Sequence, residues 1–363
     1  MSCRTCLCVA WVAVLLWCQF GAAQALTEKD LFGRFHEENQ RARALGARSG
    51  AVQAEMKLRT LPPTPGVSYN REDAAGSKED YLLIEQQVPL SGRLALLRQA
   101  GEAAVNAQKE QSNYALHLLH SDLRLAFVEL LLSQQREASI QKSLTELQEL
   151  VRVLRERERE GEGSAFDRLR AERELAEVHA DLISAQAMTV RSQTRVASFL
   201  APARKSRSLV AHGQMDIDRP LPDLTNLVSR ALEVRGDYKA QEQQLQQFVW
   251  ERRAAERLRI PEPVVSAGMK RVATPSFTDT GHIVSVSVPL PFFNRSRRET
   301  AVANANFTRT QAEKQALQQQ IASEAKAAYE ATEQRRGLAQ DYKREVGEKN
   351  IELARVARID TES

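Results

Sequence analysis

His117 and His120 stand three residues apart in a pattern that reads as helix, so two imidazoles could share one face and offer nitrogen to a metal ion. No third ligand follows at helical spacing, because Asp122 points to another part of the helix surface, and packed or solvated histidines account for the pair. The other four histidines are isolated. Glu160 and Glu162 flank a glycine and would suit either gating of an aqueous path or contact with a partner. The remaining carboxylates lie in runs of alternating sign such as RVLRERERE, which a solvated helix face explains. All four cysteines (Cys3, Cys6, Cys8, Cys18) precede residue 19, so the rest of the chain has no disulfide, thiolate metal site or cysteine nucleophile. There is no nucleotide loop, nucleophile elbow or zinc signature. Asn294-Arg295-Ser296 and Asn306-Phe307-Thr308 match the glycosylation triplet, which is frequent by chance. These residues predict a protein that is not an enzyme and carries no cofactor or resident metal.

The elements that hold these groups are unusual. A chain of 363 residues ordinarily makes two or three domains, yet aromatics are 6% and charged residues 27%, too few large side chains for a globular core of that size. The Ala, Leu, Glu, Arg and Gln content favours long helices packed side by side. Residues 1–25 have one positive charge at Arg4, an apolar run from Leu7 to Phe20 and the small-x-small triplet Ala23-Gln24-Ala25, the pattern of a secretory signal peptide. Cys18 is disfavoured as a lipid-attachment position by the bulky Trp17 before it. Without the leader, 51 Lys and Arg less Arg4, set against 47 Asp and Glu, leave +3, and the charges are interspersed, giving no nucleic-acid footprint. No later run of about 18 apolar residues occurs, which excludes a membrane-spanning helix but not strands of about 9 to 11 residues.

The chain also contains itself twice. Pro63-Thr64-Pro65 and Pro261-Glu262-Pro263 each end a helical pattern and open a strand. Val88-Pro89-Leu90 and Val288-Pro289-Leu290 each close a hairpin. Gly92-Arg93 answers to Asn294-Arg295, and Ala126-Phe127 to Ala328-Tyr329, both 202 residues on. The first copy, residues 26–200, is expected to hold a helix over 29–59, strands over 67–72 and 81–88, a helix over 93–160, and a return helix over 165–200. Gly161, Gly163, Ser164 and Asp167 form the bend, with Ser164 as helix cap. Residues 201–222 form a polar connector. The second copy, residues 223–363, is expected to hold a helix over 223–259, strands over 264–272 and 282–288, and a helix from 295 onward. The 202-residue offset places the counterpart of the Gly161 bend near residue 363, so this copy is expected to lack its return helix.

Leu82, Ile84 and Val88, and likewise Val284, Val286 and Val288, share one strand parity, with Glu85, Gln87, Ser285 and Ser287 on the other. Such strands suit lipid on one side, and Phe292-Phe293, with Pro89 and Pro289, would mark the interface corner. In lipid a sheet must close so that no edge is unpaired, and four strands cannot close. Identical chains must therefore pool them: two give eight strands, three give twelve and a wider lumen. The 93–160 helix, about 100 Å long, carries an apolar stripe through LLRQAGEAAVNAQ to Leu144, Leu147, Val151 and Leu154, which needs other helices against it.

On the motif VSVPLPFFNRSRRETAVANANF, its twin IEQQVPLSGRLALLRQAGEAA and the bend REGEGSAFDRLRAERELAEV, the chain resembles the TolC-like outer-membrane efflux proteins, and within them the heavy-metal and cation-efflux branch typified by CzcC. The resemblance covers nearly all of the chain after its leader. It implies a mainly α fold with a small β part: a homotrimer whose twelve strands form an outer-membrane barrel and whose coiled-coil helices form a periplasmic tunnel. The bend would lie at the periplasmic tip and meet an adaptor and an inner-membrane pump. The competing readings are a periplasmic adaptor, which predicts one helical hairpin beside a β-rich domain, and a structural coiled coil, which gives no reason for the matched strand parities.

Overall fold

A computed structural model of the chain describes residues 24–200, 209–213, 220–290 and 297–362. The expected signal peptide, apart from its last two residues, and the expected interface pair Phe292-Phe293 lie outside the described residues. In order, the elements are β1 (Gln24–Leu26), α1 (Glu28–Glu38), α2 (Gln40–Arg59), β2 (Gly66–Ala74), β3 (Ser77–Gln87), α3 (Arg93–Arg159), α4 (Ala165–Ala197), β4 (Leu209–Ala211), α5 (Leu224–Val234), α6 (Gly236–Glu256), a 3-10 turn (Arg257–Arg259), β5 (Val264–Ala273), β6 (Thr278–Ser287) and α7 (Arg297–Glu362). The fold is mainly α with one small antiparallel sheet. It divides into two compact units, one within Met1–Ala44 and Leu116–Ile217, the other within Leu45–Ala115 and Asp218–Ser363.

The first unit is built on a capped helix and a helical hairpin. Thr27 and Asp30 make a reciprocal capping box, Asp30 N–H donating to Thr27 Oγ1 and Thr27 N–H to Asp30 Oδ2, both at 3.3 Å. The expected continuous helix over 29–59 is two helices, because Asn39 takes an extended ψ of 114°. Its Nδ2 donates to the Phe199 carbonyl at 2.9 Å and its Oδ1 accepts from Ala42 N–H at 3.0 Å, so one side chain ends α1 and caps α2. Leu31 and Phe35 of α1 are buried with Leu123, Phe127 and Leu130 of α3, Val196 of α4 and Phe199 beyond it. Within the expected connector, β4 pairs in parallel with β1, matching Leu26 to Ala211. Gln193 Nε2 holds the Leu209 carbonyl at 3.1 Å, and Gln134 Oε1 accepts from Ala211 N–H at the same distance.

Between α3 and α4 the chain reverses through a glycine. Gly161 has φ of +83°, and Gly161 N–H donates to Glu158 O while Glu162 N–H donates to Arg157 O, the paired bonds of a Schellman stop. Ser164 then caps α4, accepting from Phe166 N–H at 3.2 Å, with Asp167 in the first turn. An ion-pair clasp ties the two helix ends: Arg168 reaches Glu158, and Glu172 at 2.9 Å, while Arg155 reaches Glu172 at 2.8 Å. The guanidiniums of Arg155 and Arg168 hold the Glu172 carboxyl below its ordinary value.

In the second unit β2, β3, β5 and β6 form one antiparallel sheet in that order, so the hairpins of the two copies pair with each other through β3 and β5. The register leaves no room at Gly268, where an added Cβ would lie 1.9 Å from the Leu82 carbonyl oxygen. Helix 223–259, like its counterpart, breaks: Arg235 has ψ of 121°. Its guanidinium donates to Asp237 at 2.7 Å, Glu324 at 2.7 Å and Tyr114 Oη at 2.8 Å, joining α3, α6 and α7 at one point.

Three outcomes follow from these contacts. Gly268→Ala forces β3 and β5 apart and lowers the unfolding temperature by an amount equivalent to roughly 3 kcal/mol, read by thermal denaturation in detergent. Arg235→Ala leaves the mostly buried Asp237 carboxylate unpaired and costs about 3 kcal/mol, and a double-mutant cycle with Asp237→Ala recovers part of that as coupling. The Glu172 contribution is complete above the ordinary glutamate value of 4.5 and is lost as pH falls through the lowered folded value. Hydrogen exchange at residues 155–172, corrected for intrinsic rates, should therefore quicken in acid in the wild type and respond less in Arg168→Gln.

Candidate functional site: a two-faced sheet with open edges

The four strands are 9, 11, 10 and 10 residues long. They were expected to be shorter, because their far halves are polar and lose the apolar alternation. The first hairpin turns through Ala75 and Gly76, both at positive φ, the geometry that a two-residue turn between right-twisted strands requires.

Register sorts the side chains into rows. On one face Val67, Ile84, Ala267 and Val284 form a row across all four strands, with Tyr69, Leu82, Met269 and His282 in the next row and Gln86, Val265 and Val286 on the other side. This face is uncovered: Val67 is 73% exposed, Ile84 60%, Val284 72% and Val286 62%. Leu82 is 52% exposed on the same face. Val88 and Val288 lie one residue past the strand ends, half-buried and 46% exposed respectively. Val88 N–H adds a last rung by donating to Pro263 O at 2.9 Å. With them the apolar rows extend about 20 Å along the strands. Beyond the Tyr69 row the face turns polar, and Asp80 there takes the Tyr69 hydroxyl at 2.7 Å with Arg71 3.7 Å away.

The opposite face is polar throughout much of its length. Ser68 donates to Glu85 at 2.8 Å, the Ser266 and Ser285 hydroxyls meet at 2.8 Å, and Lys270 Nζ is 2.7 Å from Glu79 Oε2, which also takes the Tyr81 hydroxyl. Among the described residues β2 pairs only with β3, and β6 only with β5, so the outer backbone groups of β2 and β6 have no ladder partner. No helix among the described residues is long and apolar enough to cross a membrane.

At the end of the sheet where the helices begin, Pro89 is half-buried and Pro289 exposed. The residue that organises this corner is Glu262, which the sequence marks only as the centre of Pro261-Glu262-Pro263. Its carboxylate accepts from Gln87 Nε2 at 3.0 Å and from the Ser91 hydroxyl, tying the second copy's proline turn to the first copy's corner. Gly161, Gly163, Ser164 and Asp167 stand together in the α3–α4 bend, where Gly163 is also constrained: an added Cβ would meet Glu158 N at 2.9 Å.

The histidine ring that packs on His120 belongs to His36, which no local spacing marks. His120 packs edge-on to His36 of α1, ring centroids 4.9 Å apart, and against Phe35 at 5.1 Å, so burial first, then His36, His117 and Arg124, lower its pKa. A contact between residues so far apart in sequence leaves no local signal.

No protein-family model and no curated protein sequence matches the chain. Solved structures do. The chain is similar to a membrane protein from Pseudomonas aeruginosa, with TM-score 0.71 at 16% identity over 92% of this chain and 84% of that one. It is similar to the open state of the MtrE outer membrane channel of Neisseria gonorrhoeae, with TM-score 0.65 at 16% identity over 92% and 79% of the two chains. It is also similar to the outer membrane protein VceC of Vibrio cholerae, with TM-score 0.63 at 14% identity over 81% and 75%. At these identities the likeness establishes architecture: the chain has the fold of solved outer-membrane channel proteins.

Proposed function

We propose that the chain is a channel subunit of the outer membrane, the passive exit duct of an efflux system. Three copies pool their strands into a twelve-stranded barrel, with Leu82, Ile84, Val88, Val284, Val286 and Val288 toward lipid, and their helices into a periplasmic conduit. The observation that carries this proposal is the exposed apolar face of the sheet, between two edges that lack ladder partners among the described residues. In hydrocarbon every backbone polar group must be paired, which only closure with further strands provides. A band of about 20 Å approaches the roughly 25 Å apolar belt of outer-membrane barrels. Pro89, Pro289, Phe292 and Phe293 would mark the lipid–periplasm boundary, and residues 1–25 would direct export.

Conduction in such a duct needs no bond chemistry. A water-filled lumen lined by the Ser68, Glu85, Ser266 and Ser285 face selects by diameter and lining charge, and the driving energy comes from an inner-membrane pump. The bend at Gly161, Gly163, Ser164 and Asp167 would meet the periplasmic adaptor that links them. We assign the chain to the cation-efflux branch typified by CzcC on the motifs at residues 286–307 and 84–104, an assignment that would make metal cations one solute of the duct.

The test uses the two faces of one strand. Val284→Arg places a guanidinium against lipid at a cost of about 2–4 kcal/mol near the bilayer midplane, whereas Ser285→Arg points into water. Only the first should abolish recovery in the outer-membrane fraction and the three-copy mass in detergent. Equal tolerance of both, or a wild type recovered as a soluble monomer, would contradict the proposal.

A further inference from the structure

A cavity of about 390 Å³ opens in the second unit where the end of α2, the start of α3, the end of α6 and the start of α7 come together. Three guanidiniums line it, Arg59, Arg93 and Arg298, together with apolar side chains that include Leu97, Leu258 and Val302. Two carboxylates are also present, Glu251 and Glu299. Glu251 is 3.7 Å from Arg59 and accepts from Gln247 at 2.9 Å, so that charge is matched. Neither Arg93 nor Arg298 has a carboxylate within ion-pair distance among the described residues, and Arg93 Nε is enclosed with no hydrogen-bond partner. A guanidinium N–H shut away from water without an acceptor is costly, and the planar fork of a guanidinium suits a phosphate or carboxylate oxygen.

Position narrows the ligand. α3 starts at Arg93, shortly after β3 ends at Gln87, and the 3-10 turn holding Leu258 closes shortly before β5 opens at Val264. The cavity therefore adjoins the end of the sheet where Val88 and Val288 finish the apolar rows. If that face lies in lipid, the cavity is level with the headgroups of the periplasmic leaflet. Its mixed lining, cationic and apolar side by side, fits a phosphodiester carrying glycerol and acyl carbon. A free phosphate would leave the apolar part unused. We propose that Arg93 and Arg298, with Arg59 at the rim, bind the phosphodiester headgroup of a membrane phospholipid. This site rests on the outer-membrane reading above and would fix the depth at which the sheet meets the helices.

The experiment uses the full chain purified in detergent, stripped of lipid, and exposed to vesicles of equimolar phosphatidylethanolamine and phosphatidylglycerol before native mass spectrometry. The wild type should retain one more phospholipid per chain than Arg93→Gln/Arg298→Gln. Arg298→Gln alone, at an exposed rim position that spares folding, should retain less than the wild type, and Arg298→Lys should restore part of the loss. Arg173→Gln, on α4, should match the wild type. Millimolar inorganic phosphate should leave the lipid count unchanged; displacement by it would identify a free-phosphate site and overturn the lipid assignment. Equal retention in the wild type and both glutamine variants would overturn the site while leaving the membrane reading intact. A wild type that retains no lipid and is recovered in the soluble fraction would remove both.

Discussion

Unpaired backbone at two strand edges is the constraint around which the rest of the molecule is arranged. β2 and β6 each present a row of N–H and C=O groups with no ladder partner among the described residues, beside a face of Val, Ile, Leu, Met and Tyr side chains that no helix covers. In water such a sheet is a template for aggregation. In lipid it is worse, because each unpaired group would lose water as a substitute partner. Among the described residues no further strand is long enough to cap either edge, and in the proposed channel other copies satisfy these groups.

Other features can be understood as consequences. The sheet is continuous across the two copies only because Gly268 lets β5 lie flat against the Leu82 carbonyl. Its register is reinforced on the polar face by Ser68–Glu85, Ser266–Ser285 and Lys270–Glu79, and none of these bonds would survive a one-residue slip, which would exchange the faces. The strands hand over to helices at proline corners, which neither ladder nor helix interior accepts. Glu262 holds the two corners together through Gln87 and Ser91. Long helices then need small residues at their contacts, and Ala100, Ala103, Ala104, Ala254, Ala255 and Ala303 are buried in the second unit.

The sequence was most informative where a local rule acts alone. The long helix was expected over 93–160 and is Arg93–Arg159, since its stop is a glycine at positive φ that local chemistry specifies. Strand parity at Leu82 and Val284 was legible for the same reason: alternation is a property of the pleat. The breaks at Asn39 and Arg235 were not legible. Each residue bonds locally, Asn39 to Ala42 N–H and Arg235 to Asp237, but each also takes a distant partner that no local pattern shows, Phe199 O for Asn39, and Glu324 and Tyr114 for Arg235. The β1–β4 pair is three residues long, with β1 at the end of the expected leader and β4 in the segment that reads as polar connector. Strand ends were read short because the far ends of the hairpins, Asp73 and Ala74, residues 77–80 and residues 278–281, are polar or small and carry no apolar alternation. Glu262 and the His36–His120 contact depend on partners brought near only by folding.

Because every cysteine precedes residue 19, introduced cysteines report cleanly on which edges meet. Tyr69→Cys on β2, combined with a cysteine stepped along β6 from His282 to Val286, tests whether one chain's first strand lies beside another chain's last. A disulfide needs Cα atoms closer than about 7 Å, so only edge-to-edge pairing gives one at a single register. The expected result is a ladder of covalent dimers and trimers from the membrane-extracted protein at one β6 position or its neighbour. Cross-links confined within single chains, or none at any position in a folded protein, would contradict shared closure of the sheet.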